Sequence, residues 1–252
     1  MSLKFSVVTV VFNCEDSIRK TIESVLNQEY APMEYLIVDG NSSDATVSIA
    51  EQYRKAFEEK GVSYRISSEP DSGIYNAMNK GIRAAVGEFV SFLNAGDWYE
   101  TDALRKINDF YNQEPFDLVY GGIHYINPNG TVTNKMSKLD KFPISSRNWN
   151  HPSMFLKREI YCKYLFDEVF RAYADFDLYL KLRKDGTKIR VIDRVITNFM
   201  AGGVSTDSNF KKVFARAEEK YTAYRHNGYS RIYWLEAYGW EIMKAAYFKI
   251  RS

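Results

Sequence analysis

Two periodicities alternate along the first hundred residues. Residues 7–12 form a continuous apolar, β-branched run, the pattern of a strand buried on both faces. After Asp16 and Ser17, Ile18, Ile22, Val25 and Leu26 recur at helical spacing. Residues 35–38 make a second apolar run, and Ser42 or Ser43 is placed to cap a helix carrying Ile49, Ala50, Tyr53 and Phe57 on one face. A third strand is predicted over 62–66. Ile74, Ala77, Met78, Gly81, Ile82 and Ala85 then follow the i, i+3, i+4, i+7 rule. A fourth strand is predicted over 89–93, and after Thr101 a helix with Ala103, Leu104, Ile107 and Phe110 on one face. This alternation predicts a mostly parallel sheet with helices on its faces.

The second half reads as mixed. Strands are predicted over 117–120, 123–126 and 131–134, the last pair joined through Pro128-Asn129-Gly130, and further strands over 153–156, 189–192 and 195–199. Residues 175–183 read as a helix, and the last forty or so residues are helical in pattern. No repeat or linker interrupts the 252 residues.

Composition narrows the function classes. Lys and Arg number 34 against 32 Asp and Glu, so no concentrated basic surface argues for nucleic acid as the main ligand. Cys14 and Cys162 cannot form a zinc site alone, and a disulfide framework is not needed in a chain this size. No run of about 18 apolar residues predicts a membrane span, and the first thirteen residues suit a strand better than a signal peptide. A cytoplasmic setting is expected. Aromatics are abundant, at 19 Tyr, 16 Phe and 4 Trp.

Candidate chemistry lies where the strands end. The four predicted strands run into Asn13-Cys14-Glu15-Asp16, Asp39-Gly40-Asn41-Ser42-Ser43-Asp44, Glu69-Pro70-Asp71-Ser72-Gly73 and Asn94-Ala95-Gly96-Asp97. In a parallel sheet these segments share the carboxyl edge, where open α/β sheets bind ligands. Several acidic groups on one edge favour a divalent cation with a phosphorylated ligand. Asp16, Ser42, Ser43, Asp44 and Ser72 also suit simple helix capping. Asp39 and Asp97 are better placed for ligand contact. There is no G-x-G-x-x-G after the first strand, no G-x-x-x-x-G-K-[ST] loop and no G-x-S-x-G elbow, which disfavours dinucleotide binding, a P-loop and a hydrolase elbow.

The ordered segments SVVTVVFN, LIVDGNSSDAT, EPDSGIYNAMNKGI and GEFVSFLNAGDWY, followed by HPSMFLKREIY and YADFDLYLKL, resemble the family 2 glycosyltransferases over about residues 4–205. The resemblance implies a GT-A fold, a nucleotide-diphosphate sugar donor, a divalent cation (Mg²⁺ or Mn²⁺) and inversion at the anomeric carbon. It implies that Thr9, Val11 and Glu15 line the nucleotide pocket, that Asp39 bonds the base, and that Asp71, Asn76 and Asn94 border the donor. Asp97 would hold the metal, although Asn94 and Gly96 stand where the family pattern has acids. Asp175 matches the family's general base, though it also suits a helix cap; Asp177, inside the same helix, is the competing acid. His151 is a candidate for diphosphate or acceptor contact or an ordinary packed residue. Gly202-Gly203-Val204-Ser205 is expected to be a loop near the donor site.

The resemblance makes a UDP-sugar the default donor. A saccharide or lipid-linked saccharide is the expected acceptor, in bacterial cell-surface polysaccharide assembly. A sugar nucleotidyltransferase would want a Gly-rich triphosphate loop after the first strand, which is absent. A catalytically silent nucleotide-sugar-binding module remains an alternative because of the thinned metal motif. Residues 4–205 are expected to be the catalytic domain and 206–252 a helical extension packed on it or projecting from it. From 208 to 252 there are nine Lys or Arg against four Glu, with many aromatics. Such an end suits an anionic membrane surface, a partner subunit in a homodimer, or packing on the core.

Overall fold

A computed structural model describes residues 2–127, 129–139, 144–202 and 209–251. Pro128 of the expected turn, residues 203–205 of the expected glycine loop, and the 205/206 boundary lie outside them.

The two strands read as buried on both faces are so: β1 (Phe5–Val11) and β2 (Glu34–Asp39) are buried at every position. Both pair in parallel, β2 continues to β3 (Ser63–Ser68), and β1 pairs on its other side with β4 (Phe89–Phe92). The alternating direction of side chains along β1 divides the interior in two. Phe5, Val7 and Val11 face one core with Tyr35, Ile37, α1 (Ile18–Leu26), the short helices α2 (Thr46–Glu51) and α3 (Arg54–Glu59), and, across β5 (Trp98–Tyr99), α5 (Ala103–Gln113). Val8 and Val10 face the other with Leu36, Val38 and α4 (Ile74–Ala84). Helices thus cover both faces, as strand–helix alternation requires.

The second half extends the same sheet. β6 (Leu118–Ile126) carries β7 (Val132–Lys135) as an antiparallel neighbour, and β8 (Phe155–Lys157) runs antiparallel between β4 and β6. β9 (Ile189–Met200) lies parallel to β6, and β5 pairs with its far end. The order is β3-β2-β1-β4-β8-β6-β9-β5, with β7 beside β6. α6 (Arg158–Tyr164), α7 (Ala174–Lys184), α8 (Phe210–His226) and α9 (Trp234–Arg251) complete the helices.

Several boundaries differ from the sequence reading. The strands expected at 117–120 and 123–126 are one strand that is bulged at Gly121 and Gly122, and those at 189–192 and 195–199 are one long partner to it. The helix expected after Ser42 is split at residues 52–53, yet Ala50 and Phe57 still reach the same core. Its first turn takes its side-chain bond from Asp44, which accepts from Thr46 N, not from either serine. β5 and α6 were not foreseen, since a two-residue strand and a seven-residue helix carry too little periodicity to register.

The tail answers one open question. Tyr224 and Tyr233 are buried and Tyr221, Tyr229 and Tyr238 pack against the core that holds α7. The large apolar side chains exposed there include Phe214, Ile232, Trp234, Leu235, Ile242 and Met243. Among the described residues no helix is long and apolar enough to cross a membrane.

Candidate active site

The loops leaving β1 and β2 are stitched together at the carboxyl edge. Asn13 N donates to Ser42 Oγ at 2.8 Å, Ser43 N to Asn13 Oδ1 at 2.9 Å, and Cys14 N to Thr46 Oγ1 at 2.7 Å. Glu15 accepts from Ala45 N at 2.8 Å while its own N–H reaches Asp44 at 3.1 Å. Asn13 and Asn41 take left-handed backbone conformations to make these turns. Asp39 is fully buried; it accepts from Ser42 N, Ser42 Oγ and Ser68 Oγ at 2.9, 2.5 and 2.6 Å, which fixes the loop that leaves β2. Thr9 is buried with its hydroxyl 2.9 Å from Tyr35 Oη, and Val11 is buried nearby.

The surface itself belongs to Phe12. Its ring is 61% exposed, which corrects the expectation that core packing accounts for it. Phe12 closes the continuous apolar run that reads as buried on both faces, but it falls one residue past the last paired position of β1. A Cβ on Gly40 would lie 2.5 Å from Asp71 Oδ2 and 3.4 Å from the Phe12 ring, so these three residues meet across the β1, β2 and β3 ends. Asp71 Oδ1 accepts from Gly73 N at the start of α4. One turn on, Asn76 and Asn79 donate to Glu168 at 2.8 and 2.9 Å, and these bonds hold the Glu168 carboxyl below the usual range. Glu168 lies outside every motif used above, and only its approach to α4 in space brings it to the site.

The 94–97 turn follows β4. Thr21 Oγ accepts from Gly96 N and donates to Asp97 O, clamping the turn to α1. The Asp97 side chain is 4% exposed and accepts from Met200 N at 2.9 Å. Burial pushes its pKa up to about 7. Asn94 Oδ1, in the same turn, is buried with no hydrogen-bond partner among the described residues. A buried carboxyl under desolvation and an orphaned amide oxygen are hard donors of the kind Mg²⁺ and Mn²⁺ take. These two groups are of a type that suits a divalent cation. No cluster of three His, Cys, Asp or Glu side chains suited to a metal exists among the described residues.

Phe92, at the end of β4, stacks on His151 with ring centroids 6.2 Å apart. His151 is buried among Phe92, Trp149 and Phe166, and burial lowers its pKa. Its Nε2 has no partner among the described residues, and its Nδ1 lies 3.8 Å from Asp175 Oδ2. Asp175 stands in the first turn of α7, where the helix dipole favours a carboxylate. Its Oδ1 accepts from Tyr75 Oη at 3.1 Å and Phe176 N at 2.8 Å. Among the described residues no donor holds Oδ2 within hydrogen-bond distance, and the side chain is 20% exposed. Asp177 points the other way, buried and accepting from Asn227 Nδ2 at 2.8 Å. Nothing in the sequence marks Tyr75 for this role; its bond to Asp175 appears only once α4 and α7 are brought together.

Comparison with known proteins gives a consistent picture. A family model described as "Glycosyl transferase family 2" matches residues 6–182. A "PGL/p-HBAD biosynthesis glycosyltransferase" of Mycobacterium bovis is 29% identical over 180 residues, which is 70% of this chain and 68% of that protein. A "Putative teichuronic acid biosynthesis glycosyltransferase TuaG" of Bacillus subtilis is 35% identical over 137 residues, 54% of this chain and 51% of its own. Among solved structures, S. aureus TarS 1-349 in complex with UDP-GlcNAc superposes with a TM-score of 0.68 at 19% identity, over 98% of this chain and 73% of that one. The mannosyltransferase PcManGT of Pyrobaculum calidifontis, in complex with GDP-Man and Mn²⁺, gives 0.68 at 15% identity over 98% and 74%. The expected GT-A fold is thereby confirmed.

Proposed function

The chain belongs to glycosyl transferase family 2 and is a glycosyltransferase, and from that premise we propose that it is an inverting enzyme using a nucleotide-diphosphate sugar, with a UDP-sugar as first choice. The observation that carries this reading is the Asp175 carboxylate. Tyr75 and Phe176 N hold one oxygen, and the other is left open beside His151. Asp175 Oδ2 takes the proton of an acceptor hydroxyl as that oxygen forms its bond to the sugar C1. The bond from C1 to the diphosphate breaks on the opposite face, and the nucleoside diphosphate leaves. The donor lies on the carboxyl edge, its base against Phe12 and Asp71 above the loop that Asp39, Thr9, Val11 and Glu15 brace, and its diphosphate near Asn94, Asn76 and His151. Asp97 with Asn94 would hold a divalent cation, which when bound neutralises charge on the leaving diphosphate. Fixing donor and base on two elements joined through Phe92 and His151 supplies orientation.

A panel of UDP- and GDP-sugars, assayed for hydrolysis and transfer with Mg²⁺ and Mn²⁺, identifies the donor. Asp175→Asn should lose turnover by about 10²-fold or more while UDP binding stays. Near-normal turnover in that variant overturns the base assignment. Donor binding without turnover in the wild type would mark a silent binding module instead. The named functions of the Mycobacterium and Bacillus relatives support a role in cell-surface glycan or glycolipid assembly. The exposed Ile232, Trp234, Leu235, Ile242 and Met243 beside Arg231, in a tail of net positive charge, support contact with an anionic membrane carrying a lipid-linked acceptor. Co-sedimentation with phosphatidylglycerol vesicles tests this: Leu235→Ser/Ile242→Ser should weaken binding, and equal binding rejects it.

A further inference from the structure

The family match ends at residue 182, yet the segment that carries Asp175 is gripped from beyond it. Glu219 of α8 accepts from the backbone N–H groups of Arg171 (3.1 Å to each oxygen) and Ala172 (2.8 Å). Glu241 of α9 accepts from Tyr173 Oη at 2.6 Å, and Arg216 of α8 holds the other oxygen of Glu241 at 2.9 Å in a buried ion pair. Asn227, at the end of α8, donates to the Asp177 carboxylate and carbonyl. Tyr224 packs edge-on to Phe176. Residues 171–173 and 176–177 are thus held by the α8–α9 pair, while Asp175 between them faces Tyr75 and His151.

We propose that the α8–α9 hairpin is part of the catalytic apparatus, with Glu219 and Glu241 as positioning residues that set where the Asp175 carboxylate stands. The proposal rests on the reading of Asp175 as the base. Bonds from N–H and O–H donors to a carboxylate are the stronger kind, and three such donors, Arg171 N, Ala172 N and Tyr173 Oη, lie on the three residues before α7 begins. A small displacement there moves the whole first turn of α7, and with it Asp175, relative to an acceptor held elsewhere. Glu219 bonds Arg171 and Ala172, whereas the proposed base contact is made by Phe12 and Asp71 at the β1 and β3 ends, so donor binding and turnover should separate.

The test uses the full chain and the panel donor that the wild type turns over. Glu219→Ala should lower kcat by about 10- to 100-fold with the Kd for UDP unchanged, and Glu219→Gln, which keeps one carbonyl acceptor, should recover part of the loss. Glu219→Ala placed on Asp175→Asn should cost nothing further, because the group it positions is gone. An unchanged kcat, a fall in UDP affinity parallel to kcat, or full additivity with Asp175→Asn overturns the proposal. If Glu219→Ala does not fold, Tyr173→Phe removes a single hydroxyl bond to Glu241 and carries the same readouts. Turnover retained by Asp175→Asn alone is a failure of the base assignment; turnover lost there but kept in Glu219→Ala is a failure of the positioning role.

Discussion

Asp97 and Gly40 illustrate how single residues tune the strand edge. In the unfolded chain the Asp97 carboxyl ionises near its ordinary 3.8, while burial moves it up to about 7 in the folded protein. Between those values the folded state holds a proton that the unfolded chain has lost, so stability from this group is present at low pH and is lost as pH rises through about 7. Without divalent cations, Asp97→Asn should therefore raise the melting temperature at about pH 8 and change it little at about pH 4. Equal effects at both would mean an ordinary carboxylate. A cation competes with the same proton, so Mn²⁺ should stabilise the wild type more at the higher pH and leave Asp97→Asn unaffected. Gly40→Ala makes a different demand. The obstructing atom is the end of the Asp71 side chain, so folding should survive, but Asp71 must swing away. UDP affinity measured by calorimetry should fall about tenfold; unchanged affinity would remove Asp71 from the nucleotide site. Sequence could single out Asp39, Asp71 and Asp97, which lie at or after strand ends, and Asp175, which stands in a segment resembling a family motif and opens α7. It could not reach Tyr75, Thr21 or Glu168, whose partners lie 76 to 100 residues away in the chain or on another element.

Elements were readable to the extent that one period governed them. β1, β2, α1 and α4 are repetitive and buried, and their reading survived with ends shifted by a residue or two. β6 and β9 were each read as two strands because polar or glycine positions interrupt them. The interruption in β6 is the Gly121–Gly122 bulge, where the register against β9 slips. A Cβ at Gly121 would lie 2.7 Å from both Arg194 O and Ile196 Cγ1. Backbone cannot retreat as a side-chain tip does, so Gly121→Ala should cost about 1–3 kcal/mol in urea unfolding. A cost near zero would show that the two strands can slide apart there. The contrast with Gly40 lies in what the new methyl group strikes.

At the scale of the molecule, the near-neutral total charge conceals charges placed inside. Lys220 is fully buried with its ammonium 2.8 Å from Glu236, which also accepts from Tyr224 Oη and Ser145 Oγ. Burial lowers the Lys220 pKa. Removing only the acid strands the base, so Glu236→Gln should cost about 3 kcal/mol in urea unfolding. Replacing both, as Lys220→Met/Glu236→Leu, should cost less; a double variant worse than the single would show the pair to be a net stabiliser in its own right. The sequence disclosed a basic, aromatic tail but not that Lys220 and Arg216 pair inward and several of its tyrosines join the core, because such partners are set by how α8 meets α9 and residues 144–145.

The grip of α8 and α9 on residues 171–177 has a consequence in time. A ribosome delivers the nucleotide edge, residues 9–97, long before it delivers Glu219 and Glu241, and amino-terminal parts of a chain fold first as they emerge. On the proposed reading, the base is set only when the helices that carry Glu219 and Glu241 have closed behind residues 171–177, however much of the donor edge has formed by then.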